Sequence, residues 1–321
     1  MHAWQFDSPA TGLECVEYQA PALGPGQVLI DVEAAGMCQS DVHIINGHGN
    51  AWLRKRPIIL GHEVAGTVRT PGPGVTDLAV GERVAVALIA HPIELADFAN
   101  GIGLGFDGGY APQAVVPRAT LVAIPEGVPF TLAAVATDSI ATAYHAVVAE
   151  SGTGPGSTLV VVGVGGLGLN AVQIAKHRGT TVYGVDIDPG ALETARAHGA
   201  ADCFPDISDV PDAVDAVIDF AGMGTTTADA LAAVKPGGRV VVVGLGSPEA
   251  TIPTHLLVTH NISLRGSLGA SLEDLEAVLG LIAAGELTPV IEEVPFADVP
   301  VALKRLEAGQ VRGRLVTRPR V

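Results

Sequence analysis

Residues 157–188 read STLVVVGVGGLGLNAVQIAKHRGTTVYGVDID, and this stretch decides the fold. STLVVVG (157–163) is a short apolar run rich in β-branched residues, the signature of one buried strand. GLGLNAVQIAKHRG (166–179) has helical periodicity and a glycine stop. TVYGVDID (181–188) is a second strand. Between the first strand and the helix lies Gly163-Val164-Gly165-Gly166-Leu167-Gly168, a GxGxxG turn. Glycines alone say little in a chain that has 40 of them, but strand, turn, helix, strand and terminal acid in that order say more. Gly163 permits the tight turn, Gly165 lets backbone approach a pyrophosphate, and Gly168 lets helix meet strand. The helix start then offers N–H groups and the positive dipole end to phosphates. Asp186 ends the second strand and is placed to accept hydrogen bonds from ribose hydroxyls. A carboxylate there repels a 2′-phosphate, and no Arg or Lys lies between Val182 and Leu192. NAD is therefore expected rather than NADP.

The same rhythm continues outward. PGALETARAHGA (189–200) reads as a helix, with Pro early and Gly at its end. AVDAVIDFAG (213–222) and GRVVVVGLG (238–246) read as strands, with helix-like TTTADALAAV (225–234) between them. Strands alternating with helices at this length predict βαβ units and a parallel sheet, an α/β fold. Upstream, TLAAVATDSIATAYHAVVAES (131–151) is Ala-rich and helical. The first 125 or so residues carry short strands instead: QVLIDVEAAG (27–36), EVAGTVRT (63–70) and VAVALIA (84–90). PALGPG (21–26) and PGPG (71–74) punctuate them, so a barrel-like or sandwich domain is expected. The tail adds helices over 271–287 and 296–310 and a strand over 312–319.

Composition removes several function classes. The chain has 34 acidic and 18 basic residues, a formal charge of −16, which argues against nucleic acid. Three cysteines, Cys15, Cys38 and Cys203, cannot form a disulfide framework. The uncharged stretch 151–175 holds seven glycines and a proline, so it reads as a turn-rich motif rather than a membrane span. MHAWQ (1–5) lacks the layout of a signal peptide, and a soluble cytoplasmic protein is expected.

Two segments of the first domain carry candidate chemistry: GMCQSDVH (36–43) and GHE (61–63). A lone cysteine is usually a small buried hydrophobe, and a lone histidine is often satisfied in a core. With a dinucleotide fold downstream, the two together point to a metal. Adding GHEVAGTV (61–68), GERVAV (81–86), DGGYA (107–111), TDSIATAYHAV (137–147), GVGGLG (163–168) and VDID (185–188), the chain resembles the zinc-dependent alcohol dehydrogenases of the medium-chain dehydrogenase/reductase superfamily. The motifs occur in family order over nearly the whole chain.

That resemblance implies a GroES-like β-barrel catalytic domain (1–139 and 269–321) and a doubly wound Rossmann domain (140–268). It makes Cys38, His62 and Asp138 the ligands of a catalytic zinc. Asp138 stands where the family often has cysteine, and its other reading is a helix N-cap. Thiolate plus carboxylate would neutralise Zn²⁺ and leave a fourth position open. Glu63 would lie just outside the metal or exchange into its sphere, and Asp41 would orient the ligand histidine. Ser40 and His43 would relay the alcohol proton to the surface. Thr142 would pack on the nicotinamide ring, backed by Leu167, and VGLG (243–246), beginning at Val243, would line its pocket. Gln39 replaces a family arginine that holds the pyrophosphate, and Arg314 is the candidate to compensate. Trp52 and Leu88 are candidates for the substrate wall.

One departure concerns a second zinc. Many members bind a structural zinc through four close cysteines, and the matching insert, HPIELADFANGIGLGF (91–106), has none. No structural zinc is expected. The resemblance implies hydride transfer between NAD and an alcohol, ketone or aldehyde, with secondary alcohols favoured by Asp138. A same-fold reductase of an activated C=C or C=N bond, and a non-catalytic dinucleotide-binding protein, are the other readings. Relatives form dimers or tetramers, and GRVVVVGLG near the sheet edge would suit extension across a two-fold axis.

Overall fold

Thr158–Val162 is the centre of a six-stranded parallel sheet in the computed structural model, which describes residues 1–320 apart from the side chain of Leu95. The strand order is Asp202–Phe204, Thr181–Val185, Thr158–Val162, Val214–Asp219, Val234–Val242, Ser263–Gly266. Sequence order reverses between Thr158–Val162 and Val214–Asp219, which makes that crevice the topological switch point of a Rossmann sheet. The valine runs explain the strands. Val160, Val162, Val217 and Val240 are buried and pack with Ala230 and Leu231 of the helix Thr225–Ala233. Val162 pairs with Val185 and with Asp219, and Asp219 pairs with Val242. Gly163, Asp186 and Val243 therefore leave the sheet at the same edge, at the carboxyl ends of the strands.

Two strands of this sheet escaped the sequence pattern, Asp202–Phe204 at one edge and Ser263–Gly266 at the other. Ser263–Gly266 covers the outer side of Val234–Val242, so the outermost described strand is SLRG rather than GRVVVVGLG. Three of its four residues are exposed, and it shows neither an apolar run nor alternation. Any sheet extension moves outward by one strand.

The other compact unit comprises Met1–Ala141, Gly269–Gly285 and Val290 onward; Thr142–Leu268 with Glu286–Pro289 forms the Rossmann unit. Its main sheet has the order Ile291–Val294, Arg314–Thr317, Gln27–Met37, Glu63–Pro71, Arg83–Val86, Leu121–Ala123, with Gln113–Pro117 also pairing along Gln27–Asp31. Gln27–Met37 serves three partners: Glu63–Pro71 runs along one edge, while Gln113–Pro117 and Arg314–Thr317 share the other, and the pairing with Glu63–Pro71 shifts register between Leu29 and Ile30 and again between Val32 and Ala34. Such irregularities bend a strand toward closure. Val28, Ile30, Met37, Val64, Val84, Val116 and Leu315 fill the interior. Gly36 pairs with Glu63 on one side and with Val316 on the other. The end of one strand thus lies beside the starts of two others, and the residues just outside them are gathered at one rim.

The helical stretch Phe130–Glu150 is long and apolar enough to cross a membrane by composition, but most of its apolar window is buried within the protein, as in a core helix.

At the GxGxxG turn, Gly163 has φ +80°, and a Cβ on Gly168 would lie 1.9 Å from the Gly163 carbonyl oxygen. Gly168→Val is expected to destabilise the protein by about 1–3 kcal/mol through this overlap. Urea denaturation checks it: an unchanged midpoint would show that the turn relaxes freely.

Candidate active site

Cys38 follows the strand Gln27–Met37, and His62 directly precedes the strand Glu63–Pro71. The antiparallel register sets them side by side. Asp138 comes from a π-helical turn, Ala136–Ile140, inside the helical stretch that begins at Phe130 after Pro129. It is well inside the helix, so it is not the cap of that helix. π turns widen the backbone and re-aim a side chain, and they recur at functional positions.

The three side chains converge. Cys38 Sγ lies 3.5 Å from Asp138 Oδ2, and His62 Nε2 lies 3.4 Å from the same oxygen. All three donor atoms fall within 4.8 Å of one another. Zinc bonds of about 2.0–2.3 Å in a tetrahedron require donor-to-donor edges of about 3.3–3.6 Å. The observed edges to Asp138 meet that requirement before any ion is considered. Asp138 is the least buried of the three, the side on which an open position would lie.

Charge tells the same story. Burial alone would lower the His62 pKa, but Asp41, Asp138 and Cys38 outweigh it and raise the pKa well above the ordinary histidine value. The two carboxylates, one facing each ring nitrogen, favour positive charge on the imidazole. A divalent ion suits the place, and it would have to displace the proton.

Around the cluster stand two buried carboxylates. Asp41 closes the first turn of the helix Gln39–Ile45: its Oδ2 accepts the Cys38 N–H at 3.0 Å and the Tyr110 hydroxyl at 2.8 Å. Its Oδ1 lies 3.3 Å from His62 Nδ1, an ion-pair contact rather than a well-aligned hydrogen bond. Burial raises the Asp41 pKa, yet the neighbouring His62 and the hydrogen bonds from the Cys38 N–H and the Tyr110 hydroxyl bring the balance below the ordinary carboxylate value. Glu63 accepts Arg314 Nε on both oxygens, at 3.1 and 3.0 Å, and Arg314 Nη2 at 2.6 Å. It also accepts the Ser139 N–H at 3.0 Å, which ties it to the turn that carries Asp138.

Arg314 requires a correction to its expected part. It is only 4% exposed, committed to Glu63, with Nη2 3.5 Å from Asp138 Oδ2. The pyrophosphate reading draws no support from this placement. Its physical reason is register: Arg314 starts the strand beside Met37, next to the carboxylate that begins the neighbouring strand.

The remaining residues fall as follows. Ser40 Oγ lies 3.6 Å from Cys38 Sγ. His43, half-buried, neighbours Trp52 at 6.3 Å and His48 at 6.4 Å between ring centroids. Burial, then the charge of His48, lowers the His43 pKa from its ordinary value. Trp52 also meets Phe98, centroids 6.4 Å apart. Leu88 lies half-buried at the margin of the barrel core. In the Rossmann unit, Asp186 Oδ2 accepts the Val164 N–H at 3.0 Å, so the ribose candidate also pins the glycine turn. Gly165 is exposed, and a Cβ there would meet nothing within 4 Å, which leaves its backbone open to a phosphate. Gly166 and Leu167 are half-buried, Thr142 is buried, and the Val243 N–H donates to Asp219 O at 2.9 Å.

Three residues were not found by sequence. Tyr110 was read only as part of a motif. Phe98, an aromatic inside a glycine-rich insert, meets Trp52 while Arg54 lies over its ring at 5.9 Å. Asp219, buried at a strand end, accepts Ala221 and Gly222 N–H groups and the Thr226 and Thr227 hydroxyls. Like Asp186 it ends a strand, and that was its available signal.

A dinucleotide-binding sheet together with a cation-ready thiol, imidazole and carboxylate set defines a metal-assisted oxidoreductase. Residues 24–126 match the family described as alcohol dehydrogenase GroES-like domain, and residues 166–284 match zinc-binding dehydrogenase. An alcohol dehydrogenase of Geobacillus stearothermophilus is 31% identical over 332 residues, 97% of this chain and 97% of that protein. An NAD-dependent alcohol dehydrogenase of Saccharolobus solfataricus is 34% identical, over 92% of this chain and 93% of that protein. The solved structure of acetophenone reductase from Geotrichum candidum, in complex with NAD, superposes with a TM-score of 0.91 at 32% identity, covering 99% of this chain and 96% of that one. The chain belongs to the zinc-type alcohol dehydrogenases of the medium-chain dehydrogenase/reductase superfamily.

The buried Arg314–Glu63 pair yields a stability test. Arg314→Met leaves Glu63 uncompensated and should cost about 3–5 kcal/mol, whereas Arg314→Met with Glu63→Gln should cost clearly less. Chemical denaturation of both variants decides, and equal losses would show that the pair is not coupled.

Proposed function

We propose that this protein interconverts secondary alcohols and ketones with NAD, using one zinc per chain held by Cys38, His62 and Asp138. The observation that carries the reading is the convergence of those three donors at tetrahedral edge lengths, 3.5 and 3.4 Å from the shared Asp138 oxygen. The ketone preference is supported by the likeness to a reductase named for acetophenone, an aryl ketone. No second zinc belongs to the proposal, since 91–106 offers no cysteine.

When bound, zinc supplies a Lewis acid for the substrate oxygen, and the nicotinamide ring of NAD accepts or donates the hydride. The residues do the rest. Asp41 faces the outer nitrogen of His62 and holds the ring's orientation. Glu63, engaged by Arg314 and the Ser139 N–H, stays outside the ligand set and fixes the turn that carries Asp138. Ser40 takes the alcohol proton beside Cys38, and His43 carries it toward solvent. A His43 pKa held down by burial keeps the imidazole neutral and able to accept at neutral pH. Gly163, Gly165, Gly166 and Gly168 cradle the pyrophosphate at the helix start, and Asp186 receives the adenosine ribose. Leu167, Thr142 and Val243 back the nicotinamide. Trp52 and Leu88 serve as substrate wall.

Metal analysis of the purified protein should give about one zinc per chain, and neither two nor none. Cys38→Ala, His62→Ala and Asp138→Ala should each lose the metal and slow NADH formation from secondary alcohols by on the order of a thousandfold, the loss of several kcal/mol of Lewis-acid assistance. Full activity after chelation would overturn the proposal.

The pH profile tests the relay. Because the folded-state His43 pKa is lowered from 6.5, the imidazole stays unprotonated until the pH falls below that value. The acid limb of kcat/KM should lie below pH 6.5, and His43→Ala should remove it while slowing turnover roughly tenfold to a hundredfold. An unaltered limb in the variant would assign it to another group.

A further inference from the structure

We propose that Tyr110 is a positioning residue of the metal centre, its phenol fixing Asp41 so that the carboxylate stays turned toward the His62 ring. The inference rests on the reading of Cys38, His62 and Asp138 as the ligand set. Tyr110 lies fully buried, on a segment fastened to the chain just before His62. Gly108, Gly109 and Tyr110 donate their N–H groups to the carbonyls of Ile59, Gly61 and Leu60, at 2.8, 2.7 and 3.0 Å. The aromatic ring lies on Gly61: a Cβ there would sit 2.7 Å from Tyr110 Cδ1, and Gly61 has φ +91°. The ring and the backbone entering His62 are therefore fixed relative to each other.

The hydroxyl then does something the ring does not. It donates to Asp41 Oδ2 at 2.8 Å, while its other neighbour, Gly36 O, is 3.4 Å away. Asp41 Oδ2 also accepts the Cys38 N–H at 3.0 Å. One carboxylate oxygen is thereby held by two donors, which leaves Oδ1 facing His62 Nδ1 at 3.3 Å and the Gly61 N–H at 3.4 Å. Both Oδ1 contacts are long, so they are too weak to set the rotation of Asp41 by themselves. The two short bonds on Oδ2 set it. One comes from the backbone of a metal-ligand residue, and the other is the Tyr110 phenol. Tyr110→Phe removes that bond and keeps the ring on Gly61, so packing and orientation separate in a single substitution.

The test uses the full-length zinc-loaded protein and two readouts besides activity. Zinc affinity is measured by competition with a chromophoric chelator, and the cobalt(II)-substituted protein gives a visible spectrum sensitive to ligand geometry. Tyr110→Phe should bind zinc about tenfold more weakly, the lower end of what loss of an outer-shell partner causes, and should shift the cobalt bands. Far-UV circular dichroism and NAD affinity should stay as in the parent. Asp41→Asn should also weaken zinc, and adding Tyr110→Phe to Asp41→Asn should give little further loss, because the phenol acts through that carboxylate. A Tyr110→Phe protein with the parent's affinity and cobalt spectrum overturns the role of Tyr110 and leaves the zinc reading intact. Additive losses in the double variant also overturn it. A parent protein that holds no zinc overturns both.

Discussion

Three carboxylates, Asp41, Glu63 and Asp138, crowd one rim of the barrel unit beside the Cys38 thiol, and Asp41 and Glu63 are buried. Desolvated negative charge at that density is unfavourable unless each group meets a cation or several donors. Much of the local structure answers this requirement. Arg314 neutralises Glu63 with a forked contact, Tyr110 and the Cys38 N–H hold Asp41, and His62 keeps a proton between Asp41 and Asp138. Cys38, His62 and Asp138 are the three residues whose donor atoms lie close enough together that they could hold a metal ion. The strand register exists upstream of all this. Gly36 opposite Glu63, and Val316 opposite Gly36, bring Cys38, His62, Glu63 and Arg314 to one place by backbone pairing.

The Rossmann unit obeys a different constraint, close backbone approach. Its glycine turn requires helix and strand to touch, and the Gly168 position shows how little room there is. Asp186 has a double task there, since the oxygen that accepts the Val164 N–H stiffens the turn whose glycines would face the pyrophosphate. Asp219 does the equivalent at the neighbouring strand end, where its two oxygens fix the loop that begins at Phe220. Both acids sit at the carboxyl edge of the sheet, where the reversal of strand order opens the crevice.

How much of this the sequence discloses depends on how local the cause is. The strands over 158–162, 181–185 and 214–219 follow from apolar runs, and the glycine turn from its spacing, because each is decided within a few residues. Asp138 joined Cys38 and His62 only through a family likeness, since 100 positions separate the thiol from the carboxylate. The Arg314–Glu63 contact spans 251 positions and belongs to strand pairing, so no window of sequence contains it. The strand Ser263–Gly266 was missed for a related reason: an exposed edge strand needs no apolar pattern, only a neighbour to pair with. Tyr110 was invisible because a buried tyrosine reads as core, and its hydroxyl matters through a carboxylate 69 positions away.

The proton on His62 and the metal compete for one electrostatic site. In the metal-free protein the neighbouring carboxylates Asp41 and Asp138 raise the affinity of the imidazole for a proton well above normal, and such groups would also attract a divalent cation. Loading the metal must release that proton, so apparent affinity falls as pH falls. Asp41 tempers the exchange. It faces the far nitrogen of the ring, so it stabilises the imidazole in the orientation that presents Nε2 toward Cys38 and Asp138 whether a proton or a metal is held there. A carboxylate free to rotate would stabilise the protonated ring in many orientations and the metal-bound ring in few, which would favour the proton. Fixing that carboxylate shifts the balance toward metal, and this is the physical reason a buried phenol two steps removed from the ion can affect how well the site fills.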